Sequence, residues 1–170
     1  MSLPVIQLRH YRAELLTEWY LLTGEIEPFG PLGAYLNDAN RVNVMLKNVL
    51  AAALDAGNVM DTFQAAELLV VRDEIVAIHL LDPVSGSTVQ LLPRKEKLLV
   101  FAGRLVVQAL FHCGPDTGPH DIFEATPGRW AACSEARVHP LLPFKRPIFG
   151  EAKLLLINKR HIQFYQPLGA

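Results

Sequence analysis

The sequence predicts a mainly β protein, built from two tandem homologous small barrel-like halves with pseudo-two-fold symmetry and short helical turns. Three observations carry this reading. The run ELLVVRDEIVAIHLLDP at Glu67–Pro83 returns in outline as KLLLINKRHIQFYQP at Lys153–Pro167. Between the copies, LLDPVSGST from Leu80 to Thr88 gathers Pro83, Ser85, Gly86 and Ser87, residues that make connectors rather than element interiors. Most other apolar runs are short, rich in β-branched and aromatic residues, and free of helix caps.

The repeat can be followed along the chain, and a repeat constrains architecture more than local propensity does. IQLRHYRAELL from Ile6 aligns with VQLLPRKEKLL from Val89 at an offset of 83 (89 − 6), matching Gln7 with Gln90, Leu8 with Leu91 and Leu15-Leu16 with Leu98-Leu99. AYLNDANR from Ala34 aligns with DIFEATPG from Asp121 at 87 (121 − 34), matching Tyr35 with Ile122 and Leu36 with Phe123. Glu67 aligns with Lys153 at 86 (153 − 67), so Leu68-Leu69-Val70-Val71 faces Leu154-Leu155-Leu156-Ile157 and Val76 faces Ile162. Offsets this similar are what a duplication with small loop insertions leaves. The boundary falls near Val84, giving halves 1–83 and 84–170. Units this small hold only a marginal core, so the halves are expected to bury surface against each other.

In order, RAELLTEWYLLTGEIEP from Arg12 reads as a long or broken strand pair with Gly24 as its bend. LGAYLND reads as a single helical turn. RVNVMLKNVLAAALDAG, residues 41–57, is ambiguous. Val42, Met45, Leu46, Val49, Leu50 and Ala53 fit helical spacing, with Asp38 or Asn40 as cap and Gly57 as stop. Its partner GRWAACSEARVHPLLP, 128–143, carries Pro140, and proline inside a helix costs about 3 kcal/mol. Copies must share a fold, so both are predicted as strand. ELLVV and IVAIHL, joined by Arg72-Asp73-Glu74, read as a tight hairpin or kinked strand, as do KLLLI and IQFYQ. KLLVFAGRLVVQALFHC reads as a strand pair bending at Gly103.

Hydrophobic residues make up 51% of the 170 residues and charged residues 19%, against about 25% charged in an ordinary domain. Such a surface predicts a covered apolar patch, hence a homo-oligomer or a protein partner. A net charge of −1 gives no overall basic field, so nucleic acid is the less favoured partner, and anionic lipid is not expected. Charged residues such as Arg72, Asp73 and Arg104 interrupt every apolar run before the roughly 18 residues a membrane span requires. Two cysteines without a framework, and a start lacking a leader pattern, predict a cytoplasmic protein with reduced thiols.

GAYLND followed by a β-like run and LLLINKRHI resembles a pattern in small uncharacterised bacterial proteins, with a turn at Leu36-Asn37 and a closing strand at Asn158-Lys159, here in tandem. That resemblance brings no catalytic residues. NVML from Asn43 and VVRDEIVAI from Val70 resemble the central and closing strands of Sm-like barrels. This weaker resemblance implies Sm/SH3-like small barrels, with Asn43, Arg72 and Lys159 as the RNA-facing positions. The chain departs from that family in having Asp73 where the family has a turn glycine, and Trp130 at the second-copy position of Asn43.

The densest polar loop, HCGPDTGPHD, offers His112, Cys113, His120 and Asp121 as an alternative metal set, since zinc takes such N, S and O donors. Its spacing matches no standard zinc motif. Cys113 adjoins His112, but strand neighbours point to opposite faces, and Cys133 reads as a small core residue. No nucleophile elbow, P-loop or dinucleotide turn occurs, so no cofactor is expected. LLPFKRPIFGE, 141–151, offers Phe144, Lys145, Arg146 and Phe149, a composition of interface anchors. The function expected first is a non-catalytic interaction or assembly module. An Sm-like RNA-binding protein and a metal-dependent or small-molecule enzyme using the His112–Asp121 loop are the alternatives.

Overall fold

The computed structural model describes residues 8–169; Ile6 and Gln7, used in the first repeat match, lie outside the described residues. Short alternating apolar runs make the chain extended almost throughout. Strands β1 (Tyr11–Leu16) and β2 (Tyr20–Ile26) form a hairpin, followed by a short helix α1 (Leu32–Asn37). Next come β3 (Asn43–Ala53), β4 (Thr62–Val71), a 3-10 turn at Arg72–Glu74 and β5 (Ala77–Leu80). The succession then runs β6 (Arg94–Ala102), β7 (Leu105–Cys113), α2 (Ile122–Ala125) and β8 (Trp130–Pro140). It ends with β9 (Glu151–Asn158), a 3-10 turn at Lys159–His161 and β10 (Ile162–Pro167). At 50% strand and 10% helix among the described residues, the fold is mainly β, as expected. The ten strands make one antiparallel sheet, not closed, in the order β10-β6-β7-β8-β9-β5-β1-β2-β3-β4.

The ambiguous stretch 41–57 is strand, and its helix-like spacing has a physical source. Val44 and Leu46 are buried, then Val49, Ala51 and Ala53, so the buried parity changes across Asn48. Asn48 has φ 52 and lies where the pairing of β3 with β2 shifts register, from Thr23↔Leu50 to Glu25↔Lys47. One extra residue bends the strand while keeping one face inside. β8 does the same against β7 at Glu135, φ 53, with Ala131 and Cys133 buried before it and Ala136 and Val138 after. On β2, Gly24 lies against the bulge, where an added Cβ would come within 2.9 Å of the Lys47 carbonyl oxygen. Only glycine allows that approach.

The closing segments are not hairpins, which corrects one expectation. β4 pairs with β3, whereas β5 pairs with β1 and β9. The 3-10 turn, closed by Ile75 N–H donating to Arg72 O at 3.2 Å, therefore carries the chain between strands that do not touch. The two 3-10 turns begin 87 residues apart (159 − 72), one more than the offset of 86 read from the apolar runs, and in a sheet a difference of one residue exchanges the two faces.

Buried side chains fall into two clusters. One gathers Leu98, Val100, Leu105, Val107 and Phe111, joined by Leu16, Leu54, Val76 and Ala77 from earlier in the chain. The other gathers Leu15, Ile26, Leu36, Leu46 and Ile78, joined by Trp130 and Leu156 from later. Among the described residues no helix is long and apolar enough to cross a membrane.

Gly128 fixes the entry to β8. Its φ is 83, and an added Cβ would fall 2.5 Å from Asn37 Oδ1. Asn37 is held in place, donating to Gly33 O at 3.0 Å and accepting from Arg129 N at 2.8 Å. A left-handed backbone alone costs an L-residue about 1–2 kcal/mol. Gly128→Ala is therefore expected to destabilise the fold by at least about 2 kcal/mol, read as a lower urea midpoint.

Candidate functional site

The expected RNA-facing cations are occupied inside the molecule. Arg72 is 3% exposed, and its Nη1 donates to Leu36 O at 3.1 Å and to Asp38 O, at the C-terminal end of α1. Burial, and then the neighbouring Arg129, push its pKa below the ordinary arginine value. Lys159 Nζ donates to Thr126 O at 2.7 Å and Phe123 O at 3.3 Å, beside the end of α2, and burial lowers its pKa. Both cations thus satisfy carbonyls that short helices leave open. Asn43 begins β3 opposite Val71 and is half-buried, lining a shallow hollow of about 410 Å³ with Phe29, Arg41 and Leu69.

Around them lies an ion cluster that the motifs did not reveal. Asp73 forms an ion pair with Arg129 and accepts from Arg160 at 2.8 Å, while His161 Nε2 lies 2.6 Å from the Asp73 carbonyl. Burial lowers the His161 pKa. Trp130 Nε1 donates to Leu36 O at 3.0 Å. Asn158, fully buried, donates through Nδ2 to Ile75 O at 2.9 Å and Arg72 O at 3.4 Å, and its Oδ1 accepts from Arg160 N at 3.1 Å. A lone amide ending the apolar run KLLLIN was the signal that could have found it.

The residues of the alternative metal set are apart in their surroundings. His112 is buried on β7, with Nδ1 3.0 Å from Leu92 O and Nε2 2.5 Å from Ser134 Oγ, and burial lowers its pKa. Cys113 is buried, whereas His120 and Asp121 are exposed, the His120 carbonyl accepting from Tyr165 Oη. Among the described residues no three His, Cys, Asp or Glu side chains gather as a metal ion requires. His112 and Ser134 do touch, but a carbonyl rather than a carboxylate faces the second imidazole nitrogen. Cys133 is buried, and burial pushes its thiol pKa well up, away from the nucleophilic thiolate.

The 141–151 loop is a strap on the earlier part of the chain. Lys145 and Arg146 each reach Asp61 at 2.6 Å, and Lys145 N–H donates to Leu54 O at 2.7 Å. Phe149 is buried, and Phe144 lies under the Arg104 guanidinium at 4.6 Å. Arg104 in turn holds Asp55 through two bonds of 2.7 Å, which lowers the Asp55 pKa.

These ties surround the pairing of β5 with β9, where Ala77 faces Ile157, Ile78 faces Leu156 and His79 faces Leu155. Here Asp55, Asp61 and Asp73, in loops and a turn of the earlier part of the chain, meet Arg104, Arg129, Lys145, Arg146 and Arg160 in those of the later part. At the ends of the sheet, β4 and β10 each have a neighbour on one side only. They carry exposed apolar side chains, Leu69 at 64% and Phe164 at 59%. A strand edge with free backbone groups and apolar side chains is a site for strand addition. Comparison with protein-family models, curated proteins and solved structures gives no match, so the site is read from its own geometry.

Proposed function

We propose that the chain is a tandem duplication of a small Sm/SH3-like barrel, 1–83 and 84–170, and works as a non-catalytic assembly module. The single observation that carries the reading is the β5·β9 joint beside two open edges of the same kind. Several measurements support duplication. The interruptions in β2 and β7, between Thr23 and Glu25 and between Gln108 and Leu110, are 85 residues apart (108 − 23). The bulges at Asn48 and Glu135 are 87 apart (135 − 48), like the 3-10 turns. Within each group the ladders run fifth strand, first, second, third, fourth.

The relation proposed between halves is head to tail, in place of the pseudo-two-fold expected from sequence. The fifth strand of one half meets the fourth of the other, whereas a two-fold through the joint would bring like strands together. An RNA surface built on Asn43, Arg72 and Lys159 draws less from the geometry, since both cations are bonded to carbonyls. A metal-dependent enzyme draws less still from the scattered His112–Asp121 set.

Light scattering of the full chain tests the reading. The mass is expected at a multiple of 18.9 kDa, and Leu69→Lys, an exposed charge on the β4 edge, is expected to shift it toward the single chain. A mass of one chain for the unaltered protein at tens of micromolar would contradict it.

A further inference from the structure

We infer that the partner of the open edges is a second copy of this chain, docked with its β4 against β10 of the first in the manner of β9 on β5. This rests on the assembly reading and names its partner, contact and register.

The internal joint acts as the template. Moving the β5·β9 register by the 87-residue offset turns Ala77↔Ile157 into Phe164↔Val70, Ile78↔Leu156 into Tyr165↔Leu69 and His79↔Leu155 into Gln166↔Leu68. Three positions buried at the joint are exposed at the ends, while Val70, at the place of Ile157, is buried in both settings. Leu156 is 3% exposed and Leu69 64%; Asn158 is 0% and Val71 44%; Ala77 is 0% and Phe164 59%. The exposed apolar surface thus sits where the joint covers its counterpart.

The ion pairs around the joint change in a matched way. Asp55 and Arg104 correspond to Leu142 (offset 87) and Trp19 (offset 85), exposed by 63% and 56%. A charged tie inside the chain is therefore replaced, between chains, by Leu142 of one copy against Trp19 of the next. Arg129 corresponds to Val42, 67% exposed. Because the two edges differ, the contact is heterologous, and repeating it gives a closed ring or an open fibre. It leaves no β4 or β10 edge uncovered in a ring.

Disulfide trapping tests this. Leu68→Cys and Gln166→Cys place one thiol on each edge at facing positions, and directly opposed strand residues lie within disulfide reach. Cys113 and Cys133 are buried, so the unaltered chain serves as control. After mild oxidation, a mixture of the two single variants is expected to give a covalent two-chain product that neither gives alone. A second pair, Leu69→Cys with Tyr165→Cys, repeats the test if either first variant fails to fold by circular dichroism. Crosslinking within one variant alone, or none in a protein that light scattering finds assembled, would overturn the docking and leave the assembly reading standing. A single-chain mass overturns both.

Discussion

Trp130→Ala is expected to lower the unfolding free energy by about 3–5 kcal/mol, the range for truncating a large buried aromatic. Trp130 is 5% exposed and packs into the core cluster of the earlier strands, although it begins β8. It fills a hole among the earlier strands with a side chain from a later one, so its loss opens that core. Folded domains have only about 5–15 kcal/mol in total, so this loss removes between about a fifth and all of such a margin. Trp130→Phe separates packing from hydrogen bonding. It keeps most of the ring and drops the N–H to Leu36 O, at a cost of about 1 kcal/mol. Urea denaturation followed by far-ultraviolet circular dichroism reads both, and equal losses would show that the ring itself contributes little.

Asn158→Ala is expected to cost about 1–3 kcal/mol, the range for a buried polar group left without its partner. The amide donates to two carbonyls flanking the Arg72–Glu74 turn and accepts from Arg160 N, tying the end of β9 to the start of β5. Val71, its counterpart in the proposed duplication, has no such duty at the open edge. Val71→Ala, 44% exposed, should therefore change stability by less than about 1 kcal/mol. A loss at Val71 as large as that at Asn158 would mean that the amide is not what holds the joint.

Much of the fold was legible because reading the chain as a repeat restricts each stretch by its proposed partner. Pro140 excluded a helix in 128–143, and the partner stretch 41–57 followed it into strand. Read alone, that stretch misleads for a physical reason. A bulge at Asn48 breaks the two-residue alternation and leaves apolar residues at spacings that a helix would also produce. Local pattern could not tell a hairpin at Arg72–Glu74 from a crossing, since a three-residue turn permits both and strand partners far along the chain decide. The one-residue difference between the offset of 86 read from the apolar runs and the 87 between the 3-10 turns has a similar origin. Leu68–Val71 and Leu154–Ile157 are uniformly apolar, so nothing in them marks which face is inside.

The candidate site was less legible than the fold. Arg72 and Lys159 stood out as cations beside a turn, but charge alone does not say whether a side chain faces solvent or a carbonyl. Phe144, Lys145, Arg146 and Phe149 do have the composition of an interface, and here they face the earlier strands of the same chain. The exposed residues Trp19, Val42, Leu69 and Leu142 were not singled out as a set, because they are scattered in sequence and meet only through the sheet order.

Head-to-tail assembly requires that the two outer strands be covered when the protein is free to associate. Backbone hydrogen exchange at Leu68–Val70 and Phe164–Gln166 tests this directly, since an edge amide without a partner exchanges freely and a paired one is protected. In the unaltered chain at tens of micromolar, the outward amides of both strands are expected to exchange slowly, and in Leu69→Lys both are expected to exchange fast. Fast exchange at both edges in the unaltered chain, at the same rate as in the variant, would contradict head-to-tail assembly.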